Sequence, residues 1–324
     1  MPNPKRHHTI PRVYLEAFTD DDGRLTIYSK RQKNKLRQLP KKALIRKNYY
    51  SQPTENEDEV NLAFEVDTLG KIENAFPALR SALLSGELDI EPQKIIDLVG
   101  SLRVRSPSFR EPFELGLADL VVDTANALPL PPLPRDLPDW FDPRKHIQAT
   151  IDPHRSIHAM VHYIKTYGSV IGEFEYSVRE APKNREFLCS DSPVIWFDWE
   201  PGEKLPIIFP FRICQRTRLV VPLSKKVALW GRPSRSGDFK FTGRAGMLSD
   251  RNVSRVNFLQ VACSWDQIVG KARVPKALWE KASILAPHFS VTHFDPDTNK
   301  YILESIDLRH LRKKVNWGAS YRKA

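Results

Sequence analysis

The sequence has little glycine, few cysteines and no long apolar run, and each shortage argues against a class of protein. Its 14 glycines among 324 residues form no G-x-G-x-x-G, P-loop or G-x-S-x-G pattern. This argues against Rossmann oxidoreductases, P-loop ATPases and α/β-hydrolases. The three cysteines, Cys189, Cys214 and Cys263, form no C-x-x-C pair, so we expect neither a disulfide framework nor a cysteine zinc site.

Neither a membrane span nor a secretion signal is expected. No apolar stretch approaches the roughly 18 residues that a membrane-spanning helix needs. The first residues, "MPNPKRHH", lack the apolar core of a secretory signal. With reduced cysteines, these features predict a cytoplasmic protein that has no membrane partner.

Positive charge is abundant instead, and it is concentrated at the two ends of the chain. The net charge is +11, and residues 1–50 hold 13 Lys and Arg against four acidic residues. The basic tail also contains Trp317 and Tyr321. This distribution predicts attraction to nucleic acid, although a basic surface that serves only solubility is the alternative. The candidate contact residues are Arg6, Arg12, Lys30, Arg31, Lys33, Lys35, Lys41 and Lys42.

The spacing of apolar residues changes along the chain and predicts an α+β fold. Leu69, Ile72, Phe76, Leu79 and Leu83 recur at the helical spacing of three and four. From about residue 173, apolar and polar residues alternate, as in "EFEYSVREA" and "TRLVVPLS", which is typical of strands in an antiparallel sheet. We expect a helical layer packed on a mostly antiparallel sheet, with a short basic α/β module at the N-terminus.

These patterns divide the chain into four regions. Residues 1–56 form the basic N-terminal module, which packs on the main body, and 309–324 form a basic C-terminal tail. Residues 57–170 form the helical region with a proline-rich connection at 129–143. Residues 171–308 form the sheet region, with a helix near 250–263.

Several boundaries are predicted within these regions. We expect helix breaks near Pro107 and Pro112, a helix that ends at Gly168, and a cap at Asp250. A closing hairpin is expected over residues 288–306.

Two charged residues interrupt the apolar stripes of the helical region. Glu65 and Arg105 lie on helix faces that the spacing predicts to be buried, and Glu73 flanks the face of Glu65. A buried charge needs a partner, because desolvation otherwise costs several kcal/mol. We therefore expect Glu65 to meet a cation, for which Arg105 is a candidate. The contact is either a structural ion pair or a pocket with a carboxylate beside an anion-binding guanidinium.

Two further groups of residues are candidate sites. In "FLCSDSPV", Asp191 follows an apolar strand, where it is either an active-site carboxylate or an ordinary turn residue. His154, His158 and His162 are spaced for one helix face but lack the glutamate of a zinc protease motif. We predict no metal site at these histidines.

Several motifs occur in an order that resembles a known family. The segments "HHTIPRVYLEAF", "NYYS", "RVRSPSFR", "FLCSDSPV" and "IIFPF" are similar to the bacterial domain-of-unknown-function 4238 family. The resemblance extends from His7 to the region of Asn257. It supplies no reaction, but it implies a set of positions that belong together. They are His7 or His8, Pro11, Tyr14, Glu65 or Glu73, Arg105, Asp191 and Asn257.

Three functions remain open. The first is a nuclease in which His7 or His8 is the acid or base and Arg105 steadies the phosphate. There Glu65 and Asp191, with Glu73 beside them, would act as base or hold a divalent metal, the cofactor being otherwise unknown. The second is a non-catalytic nucleic-acid-binding module, and the third a small-ligand or nucleotide sensor. Of the two histidines, we expect His8 to face the group formed by Glu65, Arg105 and Asp191.

Overall fold

The computed structural model describes most of the chain. The described residues are 6–47, 49–50, 52–53, 60–61, 69–127, 153–199, 203, 205–209, 213–270, 274–295 and 300–310. Glu65, the proline-rich connection at 129–143 and the tail beyond residue 310 lie outside them. The four-region division of the chain stays a prediction.

Seven helices form within the described residues. They are α1 (Arg12–Leu15), α2 (Gly70–Ser85), α3 (Pro92–Arg105), α4 (Pro107–Ala127), α5 (Pro153–Gly172), α6 (Asp250–Ala262) and α7 (Lys276–Ala282). The predicted break at Pro107 is present, because proline is well tolerated at the first position of α4. The break predicted at Pro112 is wrong, since α4 continues through this residue. The helix gives up one backbone hydrogen bond there.

Two other helix boundaries differ from the prediction. Helix α5 continues past Gly168 to Gly172, because Ile96 of α3 lies over both glycines and packs this last turn against the core. Helix α6 is capped by Ser249 and not by Asp250. The Ser249 hydroxyl accepts a hydrogen bond from the Asn252 N–H, which leaves Asp250 in the first turn, where its charge suits the helix dipole.

Sixteen strands are described. They are β1 (Arg6–His8), β2 (Leu25–Ser29), β3 (Lys35–Gln38), β4 (Ile45–Lys47), β5 (Gln52–Pro53), β6 (Val60–Asn61), β7 (Phe174–Glu180), β8 (Cys189–Ser190), β9 (Ile195–Asp198), β10 (Ile207–Ile208), β11 (Arg218–Pro222), β12 (Val227–Pro233), β13 (Lys240–Met247), β14 (Gln267–Gly270), β15 (Leu285–Asp295) and β16 (Lys300–His310). The predicted closing hairpin is formed by β15 and β16, which pair antiparallel.

The strands form two larger sheets and two ribbons. One sheet has the order β13-β7-β12-β11-β9-β10-β16-β15 and is antiparallel except for the β13–β7 pair. The other has the order β3-β2-β14-β8, so it joins strands from both halves of the sequence. The ribbons are β1–β4 and β5–β6. The predicted α+β class with a mostly antiparallel sheet is confirmed.

The helices and sheets share a large apolar core. Helix α3 packs against α2, α4 and α5, and Tyr167 of α5 lies 5.2 Å from the Trp196 ring of β9. At the N-terminus, the Tyr14 ring lies 5.5 Å from Phe76 of α2. Helix α3 is thus buried along its last turns, and its polar residues there lie inside the protein.

Candidate functional site

The segment from Val261 to Gln267, called here the 261–267 loop, runs from the last turn of α6 into the first residue of β14, and it is buried up to Ser264 and half-buried from Trp265 to Gln267. Lys30, predicted to be a surface cation, contacts it instead. The Lys30 ammonium donates to the carbonyl oxygens of Val261 at 2.9 Å, Ala262 at 3.4 Å, Ser264 at 2.8 Å and Leu285 at 2.5 Å. Only 3% of Lys30 is exposed. The expectation that it binds nucleic acid is therefore wrong, because its ammonium binds main-chain oxygens in the interior.

Asp191 binds the same loop through its carboxylate. One carboxylate oxygen accepts the N–H of Trp265 at 2.8 Å, and the other accepts those of Asp266 and Gln267 at 2.9 Å each. The Asp191 N–H in turn donates to the Gln267 carbonyl at 2.9 Å, and the residue is buried. Both carboxylate oxygens are thus engaged by the backbone, which favours the turn interpretation over that of a free catalytic base.

The two ions are coupled to each other and to their surroundings. Burial raises the pKa of Asp191, although the hydrogen bonds from Gln267 and Asp266 oppose this. Burial also lowers the pKa of Lys30 to about 7, against the attraction of Asp191. Lys30 is therefore held in the interior by the charge of Asp191 and by backbone carbonyl groups, and Asp191 is held there by backbone N–H groups.

Other residues of the family motifs also bind backbone groups. Asn257 of α6 accepts the Leu188 N–H at 2.8 Å and donates to the Glu186 carbonyl at 2.8 Å. The Tyr14 hydroxyl donates to the carbonyl of Pro222. These side chains join elements that are distant in the sequence.

The predicted histidines lie on the β1–β4 ribbon, where three residue pairs face each other. Arg6 is opposite Lys47, His7 is opposite Arg46, and His8 is opposite Ile45. His7 is buried, with its ring edge-on to that of Tyr50 at 5.6 Å. His8 is half-buried, and its carbonyl accepts a hydrogen bond from the Arg105 guanidinium at 2.8 Å.

Arg105 is buried beside Glu73. Its guanidinium forms an ion pair with the Glu73 carboxylate, which is 30% exposed, and its Cζ lies 5.5 Å from the centre of the Tyr50 ring. Burial alone would lower the pKa of Arg105, but Tyr50 and Glu73 hold it above the ordinary value. We call His7, Tyr50, Arg105 and Glu73 the polar centre.

The predicted contact between Glu65 and Arg105 falls outside the described residues and stays a prediction. The described partner of Arg105 is Glu73. Of the predicted site residues, the structure therefore brings together His7, the backbone of His8, Glu73 and Arg105. Asp191 contacts the 261–267 loop instead.

Two further ion pairs flank the polar centre. Arg46 pairs with Glu111, and Arg110 pairs with Glu114 at 2.8 Å. Both arginines lie over the Tyr49 ring, at 5.3 and 4.5 Å from its centre. Arg46 also attracts Asp191 and lowers its pKa, which connects the two clusters electrostatically. Sequence reasoning missed these residues, although "NYYS" contains Tyr49 and "RVRSPSFR" contains Arg110.

The remaining basic candidates are distributed over the surface. Arg6, Arg12, Lys33, Lys35, Lys41 and Lys42 are exposed, and Arg31 is half-buried with its Cζ 4.6 Å from the centre of the Trp265 ring. Arg12 pairs with Glu16 at 3.2 Å.

The described residues contain neither a metal-binding cluster nor a membrane-spanning helix. Across the described ranges, no group of three or more His, Cys, Asp or Glu residues is arranged to hold a metal ion. No described helix has the length and apolarity to cross a membrane.

Comparison with known proteins gave one match. The sequence model of DUF4238, described as a protein of unknown function, matches residues 6–273. No curated protein and no solved structure matches the chain.

The first prediction concerns the carboxylate of Asp191. In Asp191→Asn, an amide replaces one of the two oxygens that accept N–H groups, so buried donors lose their acceptor. We expect the free energy of unfolding to fall by about 3 kcal/mol, measured by urea denaturation. Asp238→Asn, at an exposed position, is the matched control and should unfold as the wild type does. A similar small effect in both variants would contradict the structural role of Asp191.

The second prediction concerns the pH dependence of stability. The folded pKa of Lys30 is about 7, below that of an unfolded lysine at about 10.4. Between these values the unfolded chain binds more protons, so the free energy of unfolding rises with pH, by up to about 1.4 kcal/mol per pH unit. Lys30→Met should lack this contribution, and urea denaturation from pH 7 to 9.5 measures it. Parallel pH profiles for the two proteins would show that Lys30 stays charged when folded.

Proposed function

The chain belongs to the DUF4238 family of proteins of unknown function, and we propose that it binds nucleic acid through exposed cations of its N-terminal segment. The outer end of the β1–β4 ribbon carries the proposal. Arg6 and Lys47 face each other directly there, both exposed, and neither forms an ion pair with any described residue. Like charges directly opposite in an antiparallel pair are destabilising. A phosphate group between them would remove this repulsion.

Further cations lie close in the sequence to this pair. Lys41 and Lys42 are exposed on the short helical turn Pro40–Lys42 that precedes β4. A phosphate backbone that follows the surface from Lys41 to Lys47 would contact several cations and release the counterions it carries. The three cysteines are free thiols, which supports a reducing, cytoplasmic setting as part of this proposal.

The third prediction tests this surface. Fluorescence anisotropy with labelled single-stranded RNA, single-stranded DNA and duplex DNA should detect binding that weakens steeply with salt. The double variant Arg6→Ala/Lys47→Ala should weaken binding about tenfold or more at low salt. It should also reduce the slope of log K against log salt by nearly 2, because two phosphate contacts are lost.

The control removes two exposed lysines elsewhere, Lys183 and Lys240. Lys183→Ala/Lys240→Ala should retain the affinity and most of the salt dependence. Equal losses in the two double variants would mean that net charge alone attracts the polymer. No binding by the wild-type chain at low salt would overturn the proposal.

A second candidate function, phosphodiester cleavage, is favoured by the polar centre behind this ribbon. The His7 and Arg105 side chains both contact the Tyr50 ring, and His7 directly follows the exposed Arg6. A histidine can take a proton from the attacking hydroxyl or water, while a guanidinium stabilises the negative charge on the phosphate oxygens in the transition state. Glu73 would keep Arg105 charged and oriented.

The fourth prediction separates cleavage from binding. Labelled RNA and DNA are incubated with the protein, in EDTA and in Mg²⁺, and the products are separated on gels. We expect His7→Gln and Arg105→Lys to lower the cleavage rate by at least 100-fold, the usual scale for a lost acid, base or charge stabiliser. His162→Gln, on the exposed side of α5, is the control.

Cleavage that survives in His7→Gln would exclude this histidine as acid or base. A strict requirement for Mg²⁺ would instead favour the hypothesis that Glu65 is a metal ligand. Binding without any cleavage by the wild-type chain would leave the non-catalytic module as the function.

A further inference from the structure

Arg103, two residues before Arg105 on α3, lies in a different environment from the other buried arginines. It is fully buried, and its Cζ lies 3.7 Å from the centre of the Phe209 ring. The Phe109 and Trp196 rings follow at 5.4 and 5.7 Å. The guanidinium is thus enclosed by aromatic rings from α4, from β9 and from the residue that follows β10.

Among the described residues, no carboxylate pairs with the positive charge of Arg103. Among the residues that the structure describes, none of its three guanidinium nitrogens has a hydrogen-bond acceptor of normal geometry. The Tyr167 hydroxyl attracts the guanidinium and lies close enough for a weak side-chain hydrogen bond with it, but it does not supply a negative charge. Aromatic faces attract a guanidinium but replace only part of the hydration that it loses on burial.

The other buried arginines show what is missing here. Arg46 pairs with Glu111, Arg105 with Glu73 and Arg110 with Glu114. Within the described part of the chain, a carboxylate therefore pairs with the buried Arg105 and Arg110 and the half-buried Arg46, but none pairs with Arg103. Asp198 lies on the same face of β9 as Trp196, but it forms no ion pair with Arg103. One of its oxygens is 3.3 Å from the Cys214 thiol.

Two independent observations indicate that this cluster is arranged for a ligand. The indole N–H of Trp196 is also buried, with no acceptor among the described residues, so two kinds of unused donor lie side by side. Phe209 adopts a left-handed backbone conformation with a φ of 48°, which is strained for a bulky residue. Such strain is concentrated at functional sites. The Phe209 N–H donates a hydrogen bond to the Trp196 carbonyl at 2.8 Å, which holds this backbone conformation.

We propose that Arg103, Trp196 and Phe209 form a binding site for the oxyanion group of a small molecule, either a phosphate or a carboxylate. The ligand must bring acceptors and negative charge, because Arg103 and the Trp196 indole offer donors only. A guanidinium can bind two oxygens of such a group at once, and the indole N–H can bind another. The surrounding rings would contact an apolar or planar body attached to the oxyanion.

This site is separate from the proposed nucleic-acid surface and does not depend on it. Arg103 is buried in the core, whereas the proposed polymer contacts are exposed residues of the N-terminal segment. A small molecule can reach an enclosed site of this kind through local opening. We therefore expect slow association, with binding complete only after prolonged incubation.

The fifth prediction tests the site with defined probes. Inorganic phosphate, AMP, acetate and benzoate are each incubated with the full chain, and the melting temperature and calorimetric Kd are measured. We expect at least one oxyanion to raise the melting temperature in a saturable way. A larger rise in melting temperature with AMP than with phosphate would identify a phosphate on a planar body as the ligand. A larger rise with benzoate than with acetate would identify an aromatic carboxylate. No response to any of the four probes overturns the proposal.

Two variants of the site make the test specific. Arg103→Met removes the charge and keeps an apolar chain, so the unliganded protein should melt at the same temperature or higher, and the oxyanion response should disappear. Trp196→Phe keeps a ring and removes the N–H, and it should weaken binding about three- to tenfold. It also provides the test if Arg103→Met does not fold.

Arg232→Met is the matched control, because this arginine is 61% exposed, and it should keep the full response. An unchanged response in Arg103→Met would place the anion elsewhere and overturn the proposal. The proposal is also overturned if Arg103→Met folds with a much lower melting temperature than the wild type and no probe binds to the wild type. Nucleic-acid binding measured in Arg103→Met should equal that of the wild type, so failure of either proposal is recognised separately.

Discussion

The 261–267 loop runs from the last turn of α6 into β14, and its backbone groups bind two charged side chains. Carbonyl groups at the end of a helix carry partial negative charge and lack partners in the helix, and here the Lys30 ammonium binds them. The next three N–H groups bind the Asp191 carboxylate. Lys30 directly follows β2 and Asp191 directly follows β8, the two neighbours of β14 in the sheet. Two ions of opposite sign thus complete the pairing that the strands begin, and they connect the N-terminal segment to the C-terminal half.

The sequence predicts most of this fold but not the environments of its ions. Alternation identifies β7, β11 and β12 because these strands are long enough to show a period of two, and helical spacing identifies the buried face of α2. Lys30 is indistinguishable by type from Lys33 and Lys35 in the same basic segment. Its burial is decided by carbonyl groups more than 230 positions away, which no local pattern encodes. Likewise, the sequence around Asp191 is typical of a turn, and its carboxylate does bind backbone N–H groups. These groups belong to the distant 261–267 loop and not to the turn that contains Asp191.

The predicted site can be judged in the same physical terms. Helical spacing places Arg105 on a buried face and so requires a counter-charge, which Glu73 provides in the described part of the chain. The spacing cannot distinguish Arg103 from Arg105, since both lie in a segment, 101–110, that is buried throughout. One arginine faces a carboxylate and the other faces aromatic rings because successive positions of a helix point in different directions. The identity of those neighbours depends on how β9 and β10 pack against α3, which no local pattern encodes.

The charges of this protein therefore divide into three sets with different physical roles. Ions that pair with carboxylate groups, such as Arg46 and Arg110, are already compensated, so their contribution is to geometry. Exposed cations such as Arg6 and Lys47 are solvated, and they remain available to a polymer at low ionic strength. Arg103 belongs to neither set, because it is buried among aromatic rings and pairs with no carboxylate of the described residues. A net charge of +11 would attract a polyanion in any arrangement. A buried guanidinium without a carboxylate is more informative, because it restricts the chemistry of a ligand that could bind it to groups with negative oxygen acceptors.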